Sequence, residues 1–161
     1  MEYERYKTVE DSKTEWVKCI QNEDINGAGR LYGGRLMEWM DQVSGIAAIR
    51  HCGGHVTTAA CDDLQFKNAA FLNDIVVIIS KVTYVGRSSM EVRTDVYIEE
   101  RETGLRRVIN RAYFTEVHVD ESGKPAAIRF GLKLESESDK AEWEGAMKRL
   151  EMRKRRRAEG F

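Results

Sequence analysis

The sequence predicts an α+β domain in which an antiparallel sheet wraps one long helix. Two observations carry this. Apolar side chains recur at helical spacing over residues 35–50, and residues 75–119 follow as three long strands joined by tight turns. A third agrees with them: Pro125, the single proline, falls outside those strands, where its missing N–H interrupts no ladder. At 161 residues the chain is one domain, able to bury roughly two thirds of its unfolded surface without a metal or disulfide.

Residues 1–13 are polar and are expected to be a flexible N-terminus, 14–132 to form the domain, and 133–161 to be a charged, helical C-terminal extension. Thr14 to Ile20 reads as a first short strand carrying Trp16, Val17, Cys19 and Ile20. Gln21 to Gly34 is a connector punctuated by Asn26-Gly27, Gly29 and Gly33-Gly34, too rich in glycine to prefer helix or strand. In the helix that follows, Leu36, Met40, Val43 and Ala47 make one apolar stripe. Beside it runs a row of mostly small residues, Met37, Asp41, Ser44, Gly45 and Ala48. Asp41 is the single charge in that row and is expected to be partly enclosed, while Glu38 and Gln42 look outward. Gly53-Gly54 stops the helix.

The period then changes to two. Val56 to Leu64 is one strand, followed by a loop through Lys67, Asn68 and Asn73-Asp74. Ile75 to Val85 is the next, and after Gly86-Arg87 the segment Ser88 to Glu99 alternates through Met90, Val92, Thr94, Val96 and Ile98. Thr103-Gly104 turns the chain into Arg107 to Val119, and Ser122-Gly123 turns it toward a short piece at Ala126 to Phe130. Such a meander packs one face on the core, and the preceding helix must cover that face. The strands between Ile75 and Val119 are long and mostly free of glycine and proline, so edge-to-edge dimerisation is expected. Residues 138–157 carry only Trp143, Met147 and Leu150 as an apolar stripe, which places that helix at the periphery.

Composition removes several function classes. The 26 Lys and Arg nearly balance the 27 Asp and Glu, whereas a nucleic-acid binder needs a concentrated basic footprint. Only Arg153, Lys154, Arg155, Arg156 and Arg157 offer one, so no nucleic-acid partner is expected. Cys19, Cys52 and Cys61 form no CxxC pair and suit reduced thiols in the cytoplasm. The start of the chain is charged, unlike a signal peptide. The aliphatic run Ile75 to Ile79 is far too short to span a bilayer. His51, His55 and His118 show no HxxxH or HExxH spacing, so no metal is expected.

The stretch from Asp24 to Asp41, DINGAGRLYGGRLMEWMD, resembles the active-site segment of hotdog-fold acyl-CoA thioesterases. In that family an Asn, a short loop, a Gly-Gly pair opening the central helix and an acid on that helix occur in this order. Val56 to Ala59, Asp63 to Phe66 and Val85 to Met90 agree in the same order, so the resemblance covers roughly residues 14–120. It implies the hotdog fold, and a homodimer with two active sites at its interface, with three such dimers often joined in a hexamer. It also implies hydrolysis of acyl-CoA to free acid and coenzyme A, with coenzyme A as the carrier moiety of the substrate and no separate cofactor. The Asn and the acid of one site come from different subunits in this family. Asn26 and Asp41 match them.

On that reading Asp41 deprotonates the attacking water or attacks directly through an anhydride; both routes stay open. Enclosure would raise its pKa and make it a better base. Asn26 orients the water or the thioester carbonyl, although Asn before Gly27 equally suits a turn. The Gly34 amide at the helix start has no intrahelical partner and is placed to receive oxyanion charge, aided by the helix dipole. Thr58 is a candidate substrate contact or a plain strand residue. Gly86, Arg87, Ser88 and Ser89 form either a nest for the coenzyme A phosphates or an ordinary hairpin turn. The basic run 153–157 is either a solvated end or a second phosphate contact.

Other functions remain to be weighed. A non-catalytic acyl-CoA sensor would keep the pocket and lack turnover. A hotdog dehydratase acting on 3-hydroxyacyl thioesters would be expected to carry a histidine where Asp41 stands. RNA binding through the terminal basic run would be salt-sensitive and lost on deleting residues 153–157.

Overall fold

Thr8 caps a helical turn with its hydroxyl and Ser136 caps a long helix near the C-terminus in the same way, so both helices start on a local hydrogen bond. The computed structural model describes residues 3–161. It begins with strand β1 (Arg5–Thr8) and the turn α1 (Val9–Ser12), followed by β2 (Thr14–Cys19) and the central helix α2 (Gly33–Cys52). Strands β3 (His55–Phe66), β4 (Ile75–Val85), β5 (Ser89–Glu99) and β6 (Arg106–Val119) come next, then β7 (Phe130–Lys133) and α3 (Glu137–Glu159).

Five strands form one antiparallel sheet in the order β2-β4-β5-β6-β3. Helix α2 crosses its inner face. The expected stripe of Leu36, Met40, Val43 and Ala47 is buried there, none more than 3% exposed. Trp39 joins the stripe and meets Trp16 edge-on at 5.5 Å between ring centres. Gly53 ends the helix at φ +73°, a left-handed turn that favours glycine. This is the hotdog arrangement of α+β structure.

Three details differ from expectation. The N-terminal segment expected to be flexible is built into the fold from Arg5: β1 pairs in parallel with β7, and Val9 and Ser12 are buried. Residues 1 and 2 of that segment lie outside the described residues. The last strand starts at Phe130 rather than Ala126, because Ala126 and Ile128 spend their amides on His118 and Arg87 before regular pairing begins. The strands between Ile75 and Val119 are interior to the sheet, so its long open edge is β3.

Helix α3 is peripheral to the inner core, as its narrow stripe implies, but charges anchor it to the outer face of the sheet. Arg149 pairs with Glu91 at 2.7 Å and lies over the Tyr113 ring, Glu142 pairs with Arg93, and Arg153 pairs with Asp62. Trp143 packs on Tyr84 at 4.6 Å between ring centres. Among the described residues no helix is long and apolar enough to cross a membrane.

Candidate active site

Two clusters gather the predicted residues. The first is the loop before α2. Asn26 is exposed, and its Oδ1 accepts the amides of Ala28 at 3.0 Å and Arg30 at 3.2 Å. Those two bonds identify the oxygen, so the side-chain NH2 is the end left to donate. The loop closes again through the Asn26 amide on the Arg30 carbonyl and the Tyr32 amide on the Asp24 carbonyl. Asp24, 1% exposed, is pinned by Lys18 and Arg35.

The chain then enters α2 with no side chain capping it. Its first intrahelical bond runs from Leu36 to Tyr32, so the amides of Gly33, Gly34 and Arg35 precede the ladder. Glycine fits here for steric reasons: a Cβ at Gly34 would stand 2.8 Å from the Tyr32 ring, and one at Gly33 would stand 3.3 Å from Phe66. Asn26, Leu31, Gly33, Leu36, Phe66 and Ile109 line a cleft of about 410 Å³ beside this helix end.

The second cluster lies roughly two turns, about 11 Å, further along the helix axis. Thr58 Oγ1 donates to Asp41 Oδ1 at 2.6 Å. Thr58 sits directly opposite Glu116 in the β3–β6 ladder, and the register slips by one residue just after it, at Ala59. Such a bulge re-aims nearby side chains. Asp41 and Ser44, three residues apart, share one helix face, and Ser44 Oγ donates to Glu116 Oε1 at 2.7 Å. Thr58 Oγ1 lies 3.3 and 3.2 Å from the two Glu116 oxygens.

The expected enclosure of Asp41 is not provided by this chain alone. Asp41 is exposed, because β3 is an edge strand and nothing beyond it covers the carboxylate; the buried acid of the cluster is Glu116, 1% exposed. Burial pushes the Glu116 carboxyl up against the opposing hydrogen bonds to Ser44 and Thr58, and the nearby Asp41 charge adds a little to the rise. The sequence reading passed over Glu116. Its signal was the alternation Ala112, Phe114, Glu116, which carries a charge onto the face that holds two core residues.

The Gly86 to Ser89 segment is a tight turn between β4 and β5. Gly86 is buried and its amide closes the turn on the Ser89 carbonyl, so it is not free to bind an anion; Arg87 is exposed and Ser88 and Ser89 are half-buried. Ser88 and Ser89 line a second cavity, about 230 Å³, with Ala59, Arg153, Lys154 and Arg157. The turn and the terminal basic run, read separately in the sequence, thus meet at this cavity through Ser88 and Ser89, while Arg87 is not among its lining residues. Arg153 is spent on Asp62 and Glu91, while Lys154 and Arg157 have no ion pair among the described residues.

The histidines lie elsewhere. His51 is buried near the end of α2 against the Phe130 carbonyl, His118 lies beside Gly54, and His55 opens β3 opposite Val119.

The thioesterase superfamily model matches residues 28–105. An acyl-CoA thioester hydrolase of Bacillus subtilis is 34% identical over 128 residues, 80% of this chain and 74% of that protein. Mammalian relatives are longer: the chain spans only 26% of the rat acetyl-coenzyme A thioesterase, with 31% identity. Among solved structures, a Staphylococcus aureus acyl-CoA hydrolase in complex with butyryl coenzyme A, coenzyme A and coenzyme A disulfide superposes with a TM-score of 0.89 at 31% identity, covering 96% of this chain and 93% of that one. Structures of that hydrolase also exist with one asparagine, one aspartate or one threonine replaced by alanine. An apo-hexameric acyl-CoA thioesterase gives 0.90 at 33% identity, covering 96% of this chain and 98% of that one.

Proposed function

The chain belongs to the hotdog-fold acyl-CoA thioesterase family, and from that premise we propose that it hydrolyses acyl-CoA thioesters to free acid and coenzyme A. Asp41 is the base or nucleophile, and Asn26 and the Gly34 amide bind the thioester carbonyl. The observation that carries the reading is the Thr58–Asp41 hydrogen bond. It holds one carboxylate oxygen at 2.6 Å, while Oδ2 has no hydrogen-bond partner among the described residues and is available to a water or an acyl carbon. The three residues substituted in the Staphylococcus aureus hydrolase have the types and the separations along the chain of Asn26, Asp41 and Thr58.

In the reaction the acyl–sulfur bond breaks, a new acyl–oxygen bond forms, and the coenzyme A sulfur leaves and gains a proton. The Asn26 NH2 donates to the carbonyl oxygen, as the occupation of its own Oδ1 dictates. The Gly34 amide adds a second donor at the positive end of the helix dipole. The cleft beside Leu31, Leu36 and Ile109 receives the start of the acyl chain.

The protein works as a homo-oligomer. Asp41 is about 10 Å along the helix from the Gly34 amide it would serve, too far for one chain to build one reaction centre. Pairing of the open β3 edges in a dimer, within a larger trimer of dimers, brings the Asp41 of one protomer to the Asn26 loop of its partner and encloses the carboxylate. Ser88, Ser89, Lys154 and Arg157 then hold the phosphates of coenzyme A at the second cavity, with exposed Arg87 on the adjoining turn. Coenzyme A is carrier and product, and no separate cofactor takes part.

The test is thiol release from acyl-CoAs ranging from acetyl to palmitoyl, with Asp41→Asn run beside the wild type. Turnover lost in a folded, assembled Asp41→Asn supports the reading. Binding of every acyl-CoA without turnover by the wild type replaces it with a sensor.

A further inference from the structure

Glu116 is a carboxylic acid buried to 1% exposure with no Lys or Arg paired to it among the described residues. An ionised carboxylate in such a place lacks the compensation that buried charges need. Its surroundings are α2, which presents Ser44 and Asp41, and β3, which presents Thr58 and Cys61. On β5 its partner in register is Met90. The titratable groups in that set are Asp41 and Cys61. The Cys61 thiol is itself pushed up to about 11, by burial first and then by Asp62, Asp41 and Glu116. Among the described residues no Lys or Arg pairs with Asp41 or Glu116, whereas Asp62 is answered by Arg153 and Arg156.

The count of hydrogens decides how the cluster is wired. Thr58 has one hydroxyl hydrogen, and the 2.6 Å contact to Asp41 takes it. The Glu116 oxygens at 3.2 and 3.3 Å from the same hydroxyl then share that hydrogen at best weakly, and gain a full bond to the hydroxyl when Glu116 supplies a hydrogen of its own. Its other oxygen accepts from Ser44. Every group is satisfied in one direction: Ser44 to Glu116, Glu116 to Thr58, Thr58 to Asp41.

We propose that Glu116 is a neutral carboxylic acid that positions Asp41 for the reaction by donating to Thr58, whose only hydrogen is thereby directed at the Asp41 carboxylate. This rests on the reading of Asp41 as base or nucleophile. Glu116 touches no substrate atom and exchanges no proton in the cycle. Its work is to keep Thr58 from turning its hydrogen inward, so that Asp41 keeps one oxygen fixed and the other free.

Glutamine preserves the wiring, since its amide donates to Thr58 and its carbonyl accepts from Ser44; leucine does not. With saturating acyl-CoA, Glu116→Gln is expected to keep kcat within about threefold, and Glu116→Leu to lose roughly 10- to 100-fold in kcat at little change in KM, the scale of a lost hydrogen bond to a charged group. Glu116→Leu combined with Thr58→Val is expected to be no worse than Thr58→Val alone. An infrared carbonyl band of a protonated acid should persist at pH 7 in the wild type and vanish in Glu116→Gln.

A folded Glu116→Gln as inactive as Asp41→Asn, with its acidic pH limb moved, overturns the proposal, because Glu116 would then act through a charge. Wild-type kcat in a folded Glu116→Leu also overturns it. If Glu116→Leu does not fold, Glu116→Gln and the infrared band decide alone. An active Asp41→Asn would instead sink the proposed function, a result separable from either of these.

Discussion

The Thr58 hydroxyl lies 2.6 Å from Asp41 Oδ1 and ties the open edge strand β3 to the central helix. On the proposed reading Thr58 is a positioning residue on an edge that a second protomer would cover. Thr58→Val keeps the shape and removes the bond, and is expected to lower kcat by roughly 10- to 100-fold. Thr58→Ser should restore most of it. Steady-state kinetics on one acyl-CoA measures both.

Gly34→Ala places a methyl 2.8 Å from the Tyr32 ring. Tyr32 is exposed and can swing away, so the variant is expected to fold and assemble normally. The displaced ring and the methyl crowd the amide proposed to receive the oxyanion. A loss of about 100-fold in kcat is expected, as for removal of an oxyanion donor, with the melting temperature showing that the fold is intact.

Two buried groups give stability opposite slopes with pH. Burial lowers the His51 pKa below its ordinary 6.5, and its Nδ1 has no partner. The folded state therefore binds fewer protons than the unfolded chain, so this contribution is present above 6.5 and is lost as pH falls through the folded value. Glu116 behaves the other way. Its pKa is raised above 4.5, so its contribution is present below 4.5 and is lost as pH rises through the folded value. Melting temperatures against pH should show the acid slope flattened in His51→Gln and the loss above 4.5 reduced in Glu116→Gln.

Arg149→Met tests the attachment of α3. It leaves Glu91, 1% exposed, with the Thr83 hydroxyl at 2.9 Å and the longer 3.6 Å contact to Arg153 as its remaining ion pair. Removing one partner of a buried pair costs about 3 kcal/mol. Urea unfolding should show a lower midpoint, and Arg149→Met with Glu91→Leu should recover part of the loss.

Much of this was legible beforehand. The stripe Leu36, Met40, Val43 and Ala47 and the alternation through Val92 and Val96 report burial directly, because each repeats at the period of its element. What escaped has no such repeat. Strands β1 and β7 have four residues each and pair across the whole length of the chain, too short for a period and too distant for a turn signal. Arg149 and Arg153 anchor α3 by charge, which a search for apolar spacing passes over. Asn26 and Gly34 stand out as proposed site residues only through the family's order of residues, since an Asn-Gly turn and a loop-to-helix glycine are common. The exposure of Asp41 was not legible because it depends on which strand ends the sheet.

On the proposed reading one reaction centre takes Asp41 from one protomer and Asn26 from its partner. The most direct measurement mixes Asp41→Asn and Asn26→Ala chains, refolds them together and follows thiol release from an acyl-CoA. Each variant alone should be nearly inactive. The mixture should recover about a quarter of wild-type activity, because half of randomly formed two-fold dimers are mixed and each mixed dimer has one intact site. A mixture that assembles into mixed oligomers yet stays as inactive as its components would contradict the shared site.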